Sequence, residues 1–119
     1  MTIINLTQHA ATPEQLAQGV FDLTGEQLAE LKALLTFKQC PTSVEVILRG
    51  AQIARLAGEF EFAMIGGAPY LMASLEMALK CRGIQPLYSF TERCSVEQAL
   101  PDGSIQKTAV FRHAGWVEA

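Results

Sequence analysis

The sequence predicts an α/β fold, a Rossmann-like three-layer domain with a mainly parallel sheet and a C-terminal β-hairpin. Three observations carry this. An apolar run at residues 60–65 ends at Gly66-Gly67, helix-spaced apolar residues fill 69–82, and after Gly83 a second apolar run occupies 84–90. Strand, tight turn, helix, glycine stop and strand make a βαβ unit, whose two strands lie parallel. Beyond it, runs at 94–100 and 104–111 flank Leu100-Pro101-Asp102-Gly103-Ser104, which is hairpin-turn chemistry. One such domain accounts for residues 1–119, a common single-domain length.

The remaining elements follow in order. Ile3-Ile4-Asn5-Leu6 is a β-branched run that stops at Thr7-Gln8-His9, so it is the first strand. Thr12-Pro13-Glu14-Gln15 combines a capping Thr, Pro at the first helical position and Gln three residues after the cap, which predicts a helix start. Gly19 interrupts that helix, and Val20-Phe21-Asp22-Leu23 reads as extended. Thr24-Gly25-Glu26-Gln27 repeats the capping signature, and Leu28, Leu31 and Leu35 form one helical stripe. Thr42 and Glu45 open another helix, with Val46, Ile47, Ile53, Ala54 and Leu56 mostly inward and Gly58 as its stop. In the 69–82 helix the apolar positions are Leu71, Met72, Leu75, Met77 and Leu79. Pro86 points to an edge or an irregular start for the strand at 84–90. A last short segment, Gly115-Trp116-Val117, closes the chain, with Trp116 inward and Arg112 and His113 outside.

Composition narrows the function classes. Half the residues are hydrophobic and 18% are charged, enough to close a core and too apolar for a disordered chain. A net charge of −3 offers no general attraction to long nucleic acid, while local cations can still hold a small anion. Cys40, Cys81 and Cys94 are odd in number and widely spaced, and read as reduced thiols of a cytoplasmic protein. No signal peptide and no membrane span is visible, so no membrane partner is expected. No metal-ligand cluster, Ser-His-Asp order or paired-carboxylate spacing stands out, and no cofactor is expected.

The chemistry collects at strand ends. Gly66-Gly67-Ala68-Pro69-Tyr70 lies between a strand and a helix, where two glycines let backbone approach a ligand and the helix start offers free N–H groups to an anion. In open parallel sheets, ligands bind beyond the strand carboxyl ends. The plainer reading is a turn whose glycines merely permit positive φ. There is no GxGxxG and no GK[ST] pattern, so dinucleotide and P-loop sites are both out. Tyr70 stacks on a base or packs. Thr7-Gln8-His9 leaves the first strand at the same edge, and its hydroxyl, amide and imidazole suit phosphate, ribose or base edges. They also suit the local backbone of a loop. Ser89-Phe90-Thr91-Glu92-Arg93 follows the third parallel strand, and the fork of Arg93 is the best phosphodiester clamp in the chain. Its alternative is a surface pair with Glu92 or Glu97. Glu97 and Lys107 fall opposite one another across the hairpin as a cross-strand pair, and Lys107 reaches a ligand only if the ribbon folds over the crevice.

Four of these stretches resemble the small CRISPR-associated Rossmann-fold (CARF) proteins of the ring-nuclease type. Thr7-Gln8-His9-Ala10-Ala11-Thr12-Pro13-Glu14-Gln15 is similar to their S-H-x-L-T-x-E-Q opening, and Ile65 through Tyr70 to their glycine turn. The stretch from Pro86 to Glu97 resembles their P-x-Y-A-T-x-R-x-x-E segment, and that from Lys107 to His113 their K-x-x-V-F-x-H ending. The chain departs from the pattern at Gln8, where the family has Ser, and in its double glycine. Residues 20–58 match no part of it. The resemblance implies a homodimer that binds cyclic oligoadenylate, a nucleotide second messenger of antiviral defence, across its two-fold axis. The ligand groups it implies are Thr7, Gln8, His9, Gly66, Gly67, Ser89, Thr91 and Arg93, to which position adds Ala68 and Tyr70.

Two functional readings stand at this point. One is a metal-independent phosphodiesterase, in which a ribose 2′-OH attacks its own 3′-phosphodiester to give a 2′,3′-cyclic phosphate. Arg93 and Lys107 would hold the phosphate and His9 would act as acid or base. The other is a non-catalytic nucleotide sensor or protein-interaction module of a mobile element or defence system, which needs the glycines and Arg93 but no acid–base pair. Either way, the small domain is expected to pair two-fold around one cavity.

Overall fold

Chain order and hydrogen bonding build one five-stranded sheet in the computed structural model, which describes residues 1–119. The elements are β1 (Ile3–Asn5), α1 (Pro13–Ala17), β2 (Val20–Asp22), α2 (Gly25–Leu35), α3 (Ser43–Leu56), β3 (Phe62–Met64), α4 (Pro69–Cys81), β4 (Gln85–Ala99) and β5 (Ile105–Glu118). Strand order is β2-β1-β3-β4-β5. The first four strands are mutually parallel, and β5 returns antiparallel on β4. The fold is therefore α/β, with a mostly parallel sheet and a C-terminal antiparallel hairpin. The βαβ unit around Gly66-Gly67 forms as expected, with Phe62 opposite Gln85 and Met64 opposite Leu87.

Local chemistry explains the helix boundaries. Thr12 accepts from the Gln15 N–H, and the Gln15 side chain accepts from the Thr12 N–H, closing the capping box. Thr42 caps α3 through the Glu45 N–H. Thr24 precedes α2 as expected but makes no side-chain cap bond. At the other end of α2, the Arg49 guanidinium donates to the carbonyls of Leu34 and Thr36 at 3.2 and 2.6 Å. It thereby satisfies acceptors that a helix end leaves open.

The two faces of the sheet are covered unequally. Ile4, Ala63, Ile65 and Ile84 meet α2, α3 and α4 through Leu31, Ile53, Leu71, Leu75 and Leu79, all buried. At about 1.5–3 kcal/mol per fully buried large aliphatic side chain, this face dominates the folding energy. The opposite face buries Ile3, Val20, Met64 and Leu87, with Ala11 and Trp116 against them. Its only helix is the five-residue α1. The third of the expected three layers is thus thin.

Four expectations are corrected. Pro86 is fully buried in an internal strand, not at an edge. Its missing N–H faces β5, where Ala119 donates to the Pro86 carbonyl at 3.1 Å and the Gln85 side-chain amide donates to the Ala119 oxygen at 2.9 Å. The strand expected to stop at Phe90 runs on through Ala99, because residues 87–100 hold no glycine or proline to break it. Likewise Gly115-Trp116-Val117 is no separate segment but the end of β5. On the outer helices, Ile47, expected among the mostly inward residues, is 59% exposed, and the apolar Met77 of α4 is 66% exposed.

Candidate functional site

Three parallel strands deliver polar residues to one edge of the sheet. After β1 comes Thr7, after β3 comes Gly66, and β4 carries Ser89 as it passes the end of β3. A Cβ added at Gly66 would lie 3.5 Å from the Thr7 methyl, so these two loops adjoin without a steric demand for glycine at 66. The demand falls on Gly67, whose φ of 151° is a conformation L residues rarely adopt. α4 starts directly after it, with no side-chain cap on its first N–H groups.

The Thr7-Gln8-His9 loop is organised from below. Buried Asn5 donates to the His9 carbonyl at 2.7 Å and to Asp22 Oδ1 at 2.8 Å, while its Oδ1 accepts from the Thr7 N–H and hydroxyl. Thr7 is thereby largely committed to the loop itself. Gln8 and His9 are exposed. A hollow of about 230 Å³ beside them is lined by Thr7, Gln8, His9, Asp22, Thr24 and Lys32 among others. That is below the roughly 300–1,000 Å³ of ordinary ligand pockets. Asn5, Asp22 and Lys32 are the residues here that the sequence reading missed.

A second cluster joins the ribbon to α1. The Gln15 amide donates to Ser89 Oγ at 3.2 Å, Ser89 Oγ lies 2.5 Å from Nδ1 of His113, and His113 Nε2 lies 3.0 Å from Gln18 Oε1. His113 also packs on Trp116, with ring centroids 4.3 Å apart. His113 is therefore buried, not outside as expected. The cause is a β-bulge: Thr91 pairs with His113 but Phe90 pairs with Gly115, so Ala114 is an extra residue. Simple alternation would put positions 113 and 116 on opposite faces, and the bulge brings both to one face. Burial then holds the imidazole below its usual pKa, against an opposing pull from Glu14.

The other candidates separate. Ser89, Thr91 and Arg93 alternate along β4 and so share a face, with Arg93 about 13 Å beyond Ser89. Arg93 forms an ion pair with neither Glu92 nor Glu97; the two salt bridges are Arg49–Glu45 and Lys107–Glu97. The latter spans 4.0 Å between well-exposed side chains, in the expected register. Lys107 stands eight residues out from Ser89, roughly 25 Å, on a ribbon that does not fold back over its own crevice. Ala68 caps α4 by position only. Tyr70 packs edge-on against Phe37 at 5.2 Å and lines a different concavity, about 720 Å³, with Pro41, Val46, Ile47 and Ser74. The sequence reading assigned that groove nothing, because its walls come from residues 37–47.

Fold and site define an α/β protein with a parallel-sheet core, a polar carboxyl edge and a projecting antiparallel ribbon. Residues 1–117 match the model of the Uncharacterized protein MJ1673 family, and the chain belongs to that family. No curated protein and no solved structure matches it. No helix is long and apolar enough to cross a membrane.

Proposed function

We propose that the protein binds a cyclic oligoadenylate at the carboxyl edge of its parallel sheet, in the manner of a Rossmann-like nucleotide domain. The observation that carries this reading is that Thr7, Gly66-Gly67 and Ser89 leave parallel strands at one edge of the sheet, from which Thr91 and Arg93 continue outward along the same face of β4. Ring phosphodiesters would meet the fork of Arg93, which makes no salt bridge, the hydroxyl of Thr91 and the Tyr70 N–H in the first turn of α4, which no side chain caps. His9 and Gln8, exposed on the adjoining loop, would meet ribose or base. The motif resemblance supplies the ligand's identity, and the geometry supports an anionic ligand that approaches from this edge.

A second reading, cleavage by ribose 2′-OH attack, is favoured by the Ser89–His113 contact. With Nε2 held by Gln18, the imidazole would take up a ligand proton only by way of Ser89, whose hydroxyl would pass its own proton to Nδ1. The test is incubation of the protein with cyclic tetra-adenylate in EDTA, followed by titration for binding and chromatography for product. Binding with linear product bearing a 2′,3′-cyclic phosphate supports turnover, and binding without product supports a sensor. Neither binding nor product overturns the assignment.

A further inference from the structure

We propose that the trough between α3 and α4 is a second ligand site, built for a small carboxylate with a single acyl chain. It stands independently of the reading given for the carboxyl edge, and Tyr70 serves it through its ring, not through its N–H.

The trough exists because apolar residues face outward where a solvated helix surface would carry polar ones. Val44, Ile47 and Leu48 on α3 and Tyr70 and Met77 on α4 are each more than half exposed. Such a cluster marks a binding surface. Two concavities join along the seam. The larger, about 720 Å³, lies within the range of ordinary ligand pockets and is walled by Phe37, Pro41, Val46, Ile47 and Tyr70. The smaller, about 440 Å³, shares Ile47 and Ser74 with it and continues past Ala51 to Met77 and Ala78. From Tyr70 to Ala78 the helix rises about 12 Å, so the trough has the proportions of an extended chain.

Charge is placed at one end only. No Asp or Glu lines either concavity, and Lys38 is the single cation on their walls. It makes no salt bridge. Beyond it an adjoining hollow adds Lys32 and Arg49, and the one carboxylate there, Glu45, is held by Arg49. Ser43 and Tyr70, in the first turns of α3 and α4, line the same concavity as Lys38, where helix dipoles favour an anion. On a chain of net charge −3 this is a local excess of positive charge.

The occupant follows from the two ends. A single cation suits a single negative charge, so the several phosphates of a nucleotide are poorly matched. The smaller concavity has no charged side chain at all, so what lies there is apolar. A carboxylate on Lys38, with its chain laid toward Met77, meets both conditions.

The experiment is a titration of decanoate, below its micelle-forming concentration, into the isotope-labelled protein, followed by amide shifts and calorimetry. The amides of Lys38, Ser43, Ile47, Tyr70, Ser74 and Met77 should move together and saturably. Affinity should rise roughly three-fold or more for each two methylenes from hexanoate to decanoate, as burial of the chain requires. Decanol, with the chain but no charge, should bind roughly three-fold or more weakly, and Lys38→Glu should impose a like loss on decanoate alone. Ile47→Asp and Met77→Asp, at exposed positions where circular dichroism should show the variants folded, should each weaken decanoate roughly ten-fold. Absence of saturable shifts overturns the inference, and so does equal affinity for decanoate and decanol. Trough amides already shielded by self-association, and freed by Ile47→Asp, would make a second copy the occupant and overturn it. So would adsorption to phosphatidylglycerol vesicles without binding of free decanoate.

Discussion

The hydroxyl of Ser89 and the Nδ1 of His113 face each other at 2.5 Å, across two strands whose pairing is shifted there by a bulge. The other ring nitrogen, Nε2, meets the Gln18 amide oxygen, which can only accept. Nε2 therefore carries the proton, and Nδ1 is left to accept from Ser89. Gln15 and Gln18 both belong to the α1 region, so these bonds also hold α1 against the thinly covered face of the sheet.

A pH dependence follows. The His113 pKa lies below its ordinary 6.5, because burial disfavours the imidazolium. Between that lowered value and 6.5 the unfolded chain binds more protons than the folded one, so stability falls as pH drops through 6.5 and levels off below the folded value. Denaturant melts from pH 8 to pH 5 should show this loss. His113→Asn, which keeps an acceptor near Ser89 but does not titrate, should flatten it. An unchanged slope in the variant would assign the loss to other groups.

Arg49 should matter more than its surface position suggests. One guanidinium closes the end of α2, pairs with Glu45 at 2.9 Å and lies over the Phe37 ring at 4.2 Å. Arg49→Lys keeps the charge but not the fork, and should lower stability by about 1–2 kcal/mol in chemical denaturation. A cost near zero would mean that water replaces these bonds freely.

At Gly50, α3 lies close against the backbone of α4. A Cβ there would sit 3.1 Å from the Ser74 backbone carbon and 3.2 Å from the Leu75 nitrogen. Because backbone cannot swing aside as a side chain can, Gly50→Ala should destabilise by about 1–3 kcal/mol despite alanine's better helix propensity. A stabilised variant would show that the two helices separate easily.

Much of the fold is visible in the chain because its signals are local. The Thr12–Gln15 capping box, the glycine turn at 66–67 and the Pro101-Asp102-Gly103 turn each fix a boundary within four residues. The site was legible only in part. Alternation along β4 places Ser89, Thr91 and Arg93 on one face, but His113 joins them through a bulge that no residue pattern announces. The Asn5–Asp22 bond spans seventeen residues and depends on β1 and β2 lying side by side. The Phe37–Tyr70 groove needs the packing of α3 on α4, which periodicity alone does not orient.

Arg93 should be the most sensitive ligand contact. Its substitution by Ala removes a charge-assisted bond worth about 1.5–3 kcal/mol, or roughly ten- to a hundred-fold in affinity for cyclic tetra-adenylate. The thermal midpoint should hardly move, since Arg93 makes no salt bridge. Arg93→Lys should restore binding only partly. Unchanged affinity with a lowered midpoint would make Arg93 structural.

The location of the ligand site can be read directly, because a chain of 13.0 kDa gives a resolved amide spectrum even as a dimer. Titrating cyclic tetra-adenylate into the isotope-labelled protein should shift the amides of Thr7, Gly66, Gly67, Ser89, Thr91 and Arg93 together and saturably. Phe37, Ile47 and Ser74, which line the groove between α3 and α4, should stay in place. Shifts confined to that groove, or no shifts at all, would contradict a nucleotide site at the carboxyl edge of the sheet.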